Sequence, residues 1–579
     1  MMARVDTKSF DDAVTNDKLG NPRASIQYNE NLSQSTSQSS GQYGAFAITG
    51  NVDTDVSETR RQRFHRYLSL GIIMFNMLIS STGFSLTYGS VWPYYEKIDD
   101  SASESFLGLI IAAFSMGQLI FSPLLGIWSN YRPLTEPLII SFIIYIFGNL
   151  LYIFAEAFKD IDKWILLASK FTVGAGAAHV AIMRSYCSAA SLEDERNTVM
   201  SFLSALQILG YSIGPGLSLL FQPLGEDGYE WQAAKLHLNL YTGPSFLGIF
   251  LLIVSIVLTT CFFKEFDVHK TKTMIPLREI IFGCYYCCQS NCQKSDDKKP
   301  REKEAEKRYD RIGAIVCIFL YFLILSMFAL QEAILSPLAQ DEYAWNNKEA
   351  SLYVNVMFAI ISFITAVVLV GTKYLIKCVS ERIVLIGTLL TMIVGLVIWM
   401  PYGPGHPDVE ILVLKNSTNH HPVVAHGSDH GCDFLKQSWC LHLPKIHLSQ
   451  LIIGLVVVAV GRGASNLLCY TIYSKLLGPW PQGLMMGFLS ASASFGRIVG
   501  PSLLAKVYHE EGPRVTFLIC IGVVLIGVIT TIAFYTRLVP YSVYEQKKMN
   551  GYLPIDSDHE NYDRNINAGL HKQISENSS

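Results

Sequence analysis

Residues 202–215 read FLSALQILGYSIGP and residues 488–501 read FLSASASFGRIVGP. The shared Phe-Leu-Ser-Ala, the two glycines four apart and the proline after them recur at a constant offset of 286. A second echo lies nearer the front of each copy, where Phe84, Leu86 and Pro93 match Phe328, Leu330 and Pro337 at an offset of 244. Spacing held over whole segments marks an internal duplication, so the chain reads as two copies of one apolar unit. Duplicated apolar halves are a common build for chains that move solutes across a bilayer.

Composition agrees with that reading. Half of the 579 residues are hydrophobic, 16% are charged, and the mean hydropathy is positive, unlike a soluble chain of this length. The net charge of −3 is nearly neutral and the basic residues sit in short patches, so nothing suggests a nucleic-acid partner. A bilayer core about 30 Å thick needs roughly 20 apolar residues in helix. Twelve such runs lie near 67–90, 104–127, 137–157, 164–190, 198–221, 241–263, 311–336, 350–373, 382–400, 447–474, 482–508 and 514–536. Backbone polar groups cannot stay unpaired in lipid, so each run is expected to be a helix. The fold expected is an all-α membrane protein of twelve transmembrane helices in two pseudo-symmetric six-helix halves, 60–263 and 311–538. A charged connector, 264–310, joins the halves, and polar tails, 1–59 and 539–579, flank them. The first apolar run starts near Tyr67, after a polar tail, so no cleavable signal sequence is expected.

Loop charges set the orientation. Arg60, Arg61, Arg63 and Arg66 precede the first run, Arg132 follows the second, Lys373, Lys377 and Arg382 surround the end of the eighth, and Lys475 follows the tenth. The opposite loops carry acids: Glu96, Asp99 and Asp100, then Glu226, Asp227 and Glu230, then Asp341, Glu342 and Glu349. The basic side, with both termini, is expected in the cytosol. On the far side, loop 401–446 holds Cys432 and Cys440, close enough in sequence for a disulfide, and the glycosylation acceptor Asn416-Ser-Thr418. Two free thiols and an unused sequon are the plain alternative. Seven of the fourteen histidines, His406, His420, His421, His426, His430 and His442 in that loop and His447 just after it, would gain charge below about pH 6.5, but their spacing specifies no metal site. Cys284, Cys287, Cys288 and Cys292 cluster in the connector, open to S-acylation or to staying reduced thiols, and no metal or cofactor is assigned. In the last tail Tyr552-Leu-Pro-Ile555 fits the tyrosine signal read by clathrin adaptors, and Tyr43-Gly-Ala-Phe46 is a weaker fit.

A charge within a bilayer costs several kcal/mol unless paired or hydrated, so the charges inside the apolar runs point to function. They are Lys170, Arg184, Arg462 and Arg497 against a single acid, Glu332. A net positive interior favours an anion. Arg462 and Arg497 lie about fifteen residues into their runs, near mid-bilayer, beside Gly461, Gly463, Ser494 and Gly496, which leave room around each guanidinium. With Lys170 and Glu332 they are the expected substrate contacts, converging on one hydrated hollow between the halves; the alternative for each arginine is a structural bond to a neighbouring helix. Glu332 is either a proton-coupling acid or an arginine's partner. Arg184, nearer the basic end of its run, is expected within reach of Glu193, Glu195 or the loop at Asn130, as a gate residue. His179, a lone intramembrane histidine, reads as a packing residue. Gly210, Gly214 and Pro215, with Gly500 and Pro501 in the second copy, are expected to make a bendable contact between the halves.

Two six-helix halves about a charged connector resemble the major facilitator superfamily. The segments that carry the likeness are Gly126-Ile-Trp-Ser-Asn-Tyr-Arg-Pro133, Val180-Ala-Ile-Met-Arg-Ser-Tyr186, Tyr473-Ser-Lys-Leu-Leu-Gly-Pro479 and Gly496-Arg-Ile-Val-Gly-Pro501. The resemblance runs from about Tyr67 to about Leu538 and is closest to an endolysosomal branch. It implies the twelve-helix transporter fold, an endolysosomal membrane location and chloride conductance, with no settled organic substrate; a small anionic cargo, with protons as a coupling ion, is the expectation from the intramembrane charges above. Asn130 departs from the pattern: the superfamily has an aspartate there, ahead of the basic residue that Arg132 supplies. An amide can cap a helix but cannot form an ion pair, so a charge latch at that gate is weakened. In the second copy Glu381 and Arg382 keep a carboxylate beside an arginine. A chloride channel on the same fold and a non-transporting adaptor are the rival readings. No phosphate loop, paired carboxylates or nucleophile with a base suggests an enzyme.

Overall fold

The computed structural model describes residues 60–87, 90–99, 104–158, 161–225, 228–231, 236–266, 309–345, 347–402, 413–414, 423–424, 432, 437–478 and 480–544. All of them belong to one compact unit, 58–579. The first half contains α1 (Arg60–Leu86), the short α2 (Val91–Ile98), α3 (Glu104–Tyr131), α4 (Thr135–Ile153), α5 (Asp162–Ala177), α6 (His179–Ala189), α7 (Glu193–Ser218) and α8 (Gly243–Phe262). The second contains α9 (Arg311–Tyr343), α10 (Asn347–Cys378), α11 (Glu381–Trp399), α12 (Leu448–Leu477) and α13 (Gly483–Ala533). Two short antiparallel pairs, β1 (Tyr229–Trp231) with β2 (Leu236–Leu238) and β3 (Val413–Leu414) with β4 (Val423–Val424), lie in loops.

Eleven helices among the described residues are long and apolar enough to cross a membrane, with α5 and α6 counted together and α13 counted once. At 51 residues, α13 is far longer than a bilayer needs; Gly512 (φ 81°, ψ −175°) breaks it into two limbs and so supplies the twelfth crossing. Only glycine suits that corner, since a Cβ there would stand 2.6 Å from the Trp439 ring. Local chemistry sets other ends. The Asp310 side chain accepts the Ile312 N–H at 3.0 Å and starts α9, while Gly478 (φ 78°) ends α12 with the Tyr541 ring 2.8 Å from where a Cβ would be.

The base of the bundle is the end where α1 begins and where the α3–α4 and α12–α13 links lie; the cap is the opposite end. Across the halves α3 packs against α13 and α7 against α10. At the base the α3–α13 seam is backbone on backbone: a Cβ on Gly487 would lie 2.6 Å from the Ser122 carbonyl oxygen, and one on Gly126 would overlap the Gly483 carbonyl. Ser188 and Ser474 share a hydroxyl hydrogen bond there, and they are 286 apart, the offset of the duplication. Arg184 lies 3.8 Å over the Tyr470 ring, a pair with the same separation. Equivalent residues of two copies touch only beside the axis that relates the copies, so both contacts locate the pseudo-two-fold.

The glycine pairs do not join the halves, contrary to expectation. Gly210 and Gly214 of α7 face α1, where their Cβ atoms would meet the Leu78 carbonyl oxygen at 2.7 Å and that of Thr82 at 2.8 Å. Gly500 of α13 faces α9, with the Ser326 carbonyl oxygen at 2.7 Å. Each pair closes the same contact inside its own half, as the duplication requires, and the helices run on past Pro215 and Pro501.

Candidate functional site

A cavity of about 160 Å³ lies between the halves. Phe84 and Phe114 from the first half and their offset mates Phe328 and Phe358 from the second all line it, giving pseudo-symmetric aromatic walls. The charges break that symmetry. Arg462 on α12 and Arg497 on α13 both face the cavity, yet 286 positions before them stand Gly176 and Tyr211. No carboxylate is among the described lining residues. The Arg462 guanidinium sits 4.2 Å over the Phe328 ring and that of Arg497 sits 5.5 Å over Phe114, so each cation rests on an aromatic face.

Arg497 also donates to Gln118 Oε1 on α3, and the Ser494 hydroxyl donates to the same oxygen at 3.1 Å. This amide holds the guanidinium from the opposite half without cancelling its charge. The neighbouring glycines do not leave room for the cations as expected, because they are used in helix packing. A Cβ on Gly461 would meet the Thr388 carbonyl oxygen of α11 at 2.8 Å, and one on Gly463 would meet the Thr365 methyl of α10 at 2.6 Å.

The other predicted contacts lie apart. Lys170 does not line the cavity; its ammonium donates to Thr87 Oγ1 at 2.9 Å and lies 4.7 Å over the Tyr152 ring. Its long stem carries the charge toward the cap, away from the arginines. Glu332 is on α9, but its side chain lies outside the described residues. Arg184 is 1% exposed and turns from the base loops, donating to Ser204 and Gln207. Glu195, one of the three partners expected for it, is held instead by Arg66 at 2.8 Å and by the Tyr67 hydroxyl. His179 lines the cavity with both ring nitrogens engaged, at 2.7 Å from the Gly176 carbonyl oxygen and 2.8 Å from Ser80 Oγ.

At the base, Asn130 Oδ1 accepts the Gly483 N–H at 2.7 Å. A residue of the first half thus caps the helix that carries Arg497 in the second. Arg132 pairs with Glu136 one turn on, and Glu381 pairs with Lys475, both at 2.5 Å. Arg382 does not pair with Glu381; it donates to the Tyr535 carbonyl oxygen at 2.9 Å and stacks on that ring. Those charges therefore tie neighbours within one half, and Asn130 is the one of the four that spans the halves. Cys432 and Cys440 are disulfide-bonded. Asn416, Tyr552, Ile555, Tyr43, the four connector cysteines and five of the seven histidines lie outside the described residues.

The sequence reading missed Gln118, Tyr211 and Asn466, which line the cavity as neutral polar groups. A lone amide in an apolar run was the available signal for Gln118.

Residues 73–414 and 438–558 match the profile of the Major Facilitator Superfamily. Over 503 residues the chain is 34% identical to major facilitator superfamily domain-containing protein 8 of Xenopus laevis, covering 85% of this chain and 96% of that protein. The fold is similar to the human organic anion transporter MFSD10 (TM-score 0.55, 16% identity, 80% of this chain and 99% of that one). It is also similar to the transporter FucP in its outward conformation (TM-score 0.52, 12% identity, 81% and 99%). A duplicated twelve-crossing bundle with a cavity between its halves is a multi-pass membrane transporter, not an enzyme, and this chain belongs to the major facilitator superfamily.

Proposed function

We propose that the protein carries a small organic anion across the lysosomal membrane by alternating access between its two halves. The observation that carries this is the pair of guanidiniums, Arg462 and Arg497, facing one aromatic-walled cavity between the halves. Charge-assisted hydrogen bonds inside low-dielectric walls hold an anion, and the four phenylalanines take its apolar body. A cavity of about 160 Å³ is roughly ten times the 10–15 Å³ that one water needs on the same measure, room enough for an organic acid and more than a bare chloride requires. The organic anion named for the similar MFSD10 structure points the same way.

The base, sealed by the α3–α13 seam and rich in arginine and lysine, faces the cytosol in this reading, and the cap faces the lumen. Lysosomal residence rests on the resemblance and on Tyr552-Leu-Pro-Ile555; a Tyr552→Ala variant is expected at the cell surface, and unchanged placement removes that signal. Protons are the proposed coupling ion, with Glu332 the acid within the crossings. Uptake of radiolabelled carboxylates and of chloride into liposomes holding purified protein tests the cargo. Saturable carboxylate uptake, lost in the Arg462→Leu, Arg497→Leu double variant, is expected. Chloride current far above carrier turnover, or full carboxylate uptake by that variant, overturns the reading.

A further inference from the structure

The cap segment of the second half rests on two adjacent buried acids. The helix α9 runs 33 residues from Arg311 to Tyr343, about 50 Å at 1.5 Å per residue against a hydrocarbon core of about 30 Å, so its last turn lies beyond the hydrocarbon. That turn carries Asp341, 9% exposed, and Glu342, 0% exposed. Asp341 Oδ2 accepts the Tyr508 hydroxyl of α13 at 2.8 Å. Glu342 Oε2 accepts the Ile446 N–H of the cap at 2.9 Å, while its other oxygen, fully buried, has no described partner. Above them the Trp439 ring packs 5.7 Å from Tyr508 and against Gly512, and the Cys432–Cys440 bond constrains the same segment. The end of α9, the corner of α13 and the cap thus meet at one pair of carboxyls.

Few cations face that pair. Lys445 of the cap acts on Glu342 and His509 of α13 on Asp341, with the Gln437 side chain also bonding Asp341. Lys506 pairs with Glu510 at 3.8 Å on the exposed face of α13, and Glu511, His442 and His447 are exposed. Neither acid is ion-paired to a described basic residue. A neutral carboxyl tolerates one unbonded oxygen in a dry site, whereas a carboxylate there, beside a second one, does not.

We propose that Asp341 and Glu342 form a proton-binding latch that seats the cap on the ends of α9 and α13 when both are protonated and releases it when they ionise. Burial pushes Glu342 up to about 7, with Asp341 adding to the rise and the Ile446 N–H opposing it. Burial likewise pushes Asp341 up to about 6, against the Tyr508 hydroxyl, His509 and Gln437. Acids with raised values bind their protons more tightly in the seated cap than in the open one. The seated state therefore gains as pH falls through this window and loses as pH rises through it. The same two helices carry Phe328 and Arg497, so proton uptake at the cap bears on the cavity walls.

The test is hydrogen exchange of segment 437–447 in the full chain in lipid nanodiscs, at about pH 5.5 and about pH 8, corrected for intrinsic exchange rates. On the order of tenfold faster opening at the higher pH is expected, with the Asp341→Asn, Glu342→Gln double variant protected at both. Equal protection of the wild type at both pH values overturns the proposal, and so does a double variant that keeps the full pH response, which would assign it to the histidines. Should the variant not fold, infrared difference spectra of the wild type decide. A buried carboxylic-acid band titrating at about pH 6 to 7 supports the latch, and its absence above about pH 5 sinks it. Neither readout involves transport, so the latch and the anion reading fail separately.

Discussion

At the scale of single residues, the two cavity arginines and the buried one beside them differ in what they touch. Arg497 is bonded to an amide and stacked on a ring, which leaves its charge uncancelled for a ligand. Arg497→Gln removes one charge-assisted contact, about 1.5–3 kcal/mol, so the KM for a transported anion should rise roughly ten- to a hundredfold while the fold survives. Arg497→Lys should recover part of that, because a point charge remains without the planar fork. Uptake kinetics with unchanged KM in both variants would remove Arg497 from the binding site. Arg184 instead fills a closed site against Ser204, Gln207 and Tyr470. Arg184→Leu orphans the Gln207 oxygen and should cost about 1–3 kcal/mol of stability, read as a lower unfolding temperature in detergent.

Between elements, close approach and one cap do the work that charge pairs were expected to do. Gly214 stands against the backbone of α1, so Gly214→Ala should destabilise by about 1–3 kcal/mol, whereas Gly216→Ala, with nothing within 4 Å, should be neutral or mildly stabilising. Thermal unfolding of the two variants side by side checks this, and equal behaviour contradicts the packing assigned to α1 and α7. Asn130 satisfies an N–H at the start of α13 from across the seam. Asn130→Ala should weaken the base seal by about 1 kcal/mol, and Asn130→Asp should strengthen it by adding a charge at a helix N-terminus. Spin-label distances across the base, longer in the first variant and shorter or unchanged in the second, are the expected outcome.

For the whole molecule, transport needs the base to open, and Ser188 and Ser474 meet on the axis about which the halves would part. A Ser188→Cys, Ser474→Cys double variant should cross-link under mild oxidation, stop uptake, and recover when reduced. Uptake that persists in the cross-linked protein would rule out opening at this end.

The sequence alone determined the crossings, the duplication and the arginines, because each is written in local composition or in a fixed offset between copies. The echo at 202–215 and 488–501 already implied that one packing scheme would be used twice, as α7 on α1 and α13 on α9 show. Which charges share a space was not legible: Lys170 lies inside its apolar run like Arg462, yet its flexible stem leads to a tyrosine and a threonine near the cap. Nor did spacing reveal that Asn130 reaches Gly483, 353 residues away, or that Asp341 and Glu342 lie under the cap, although they read as exposed loop acids. Only the tertiary structure decided those points, because a side chain's partners across a helix bundle depend on crossing angles and rotation about each axis, which a single strand of apolar residues leaves open.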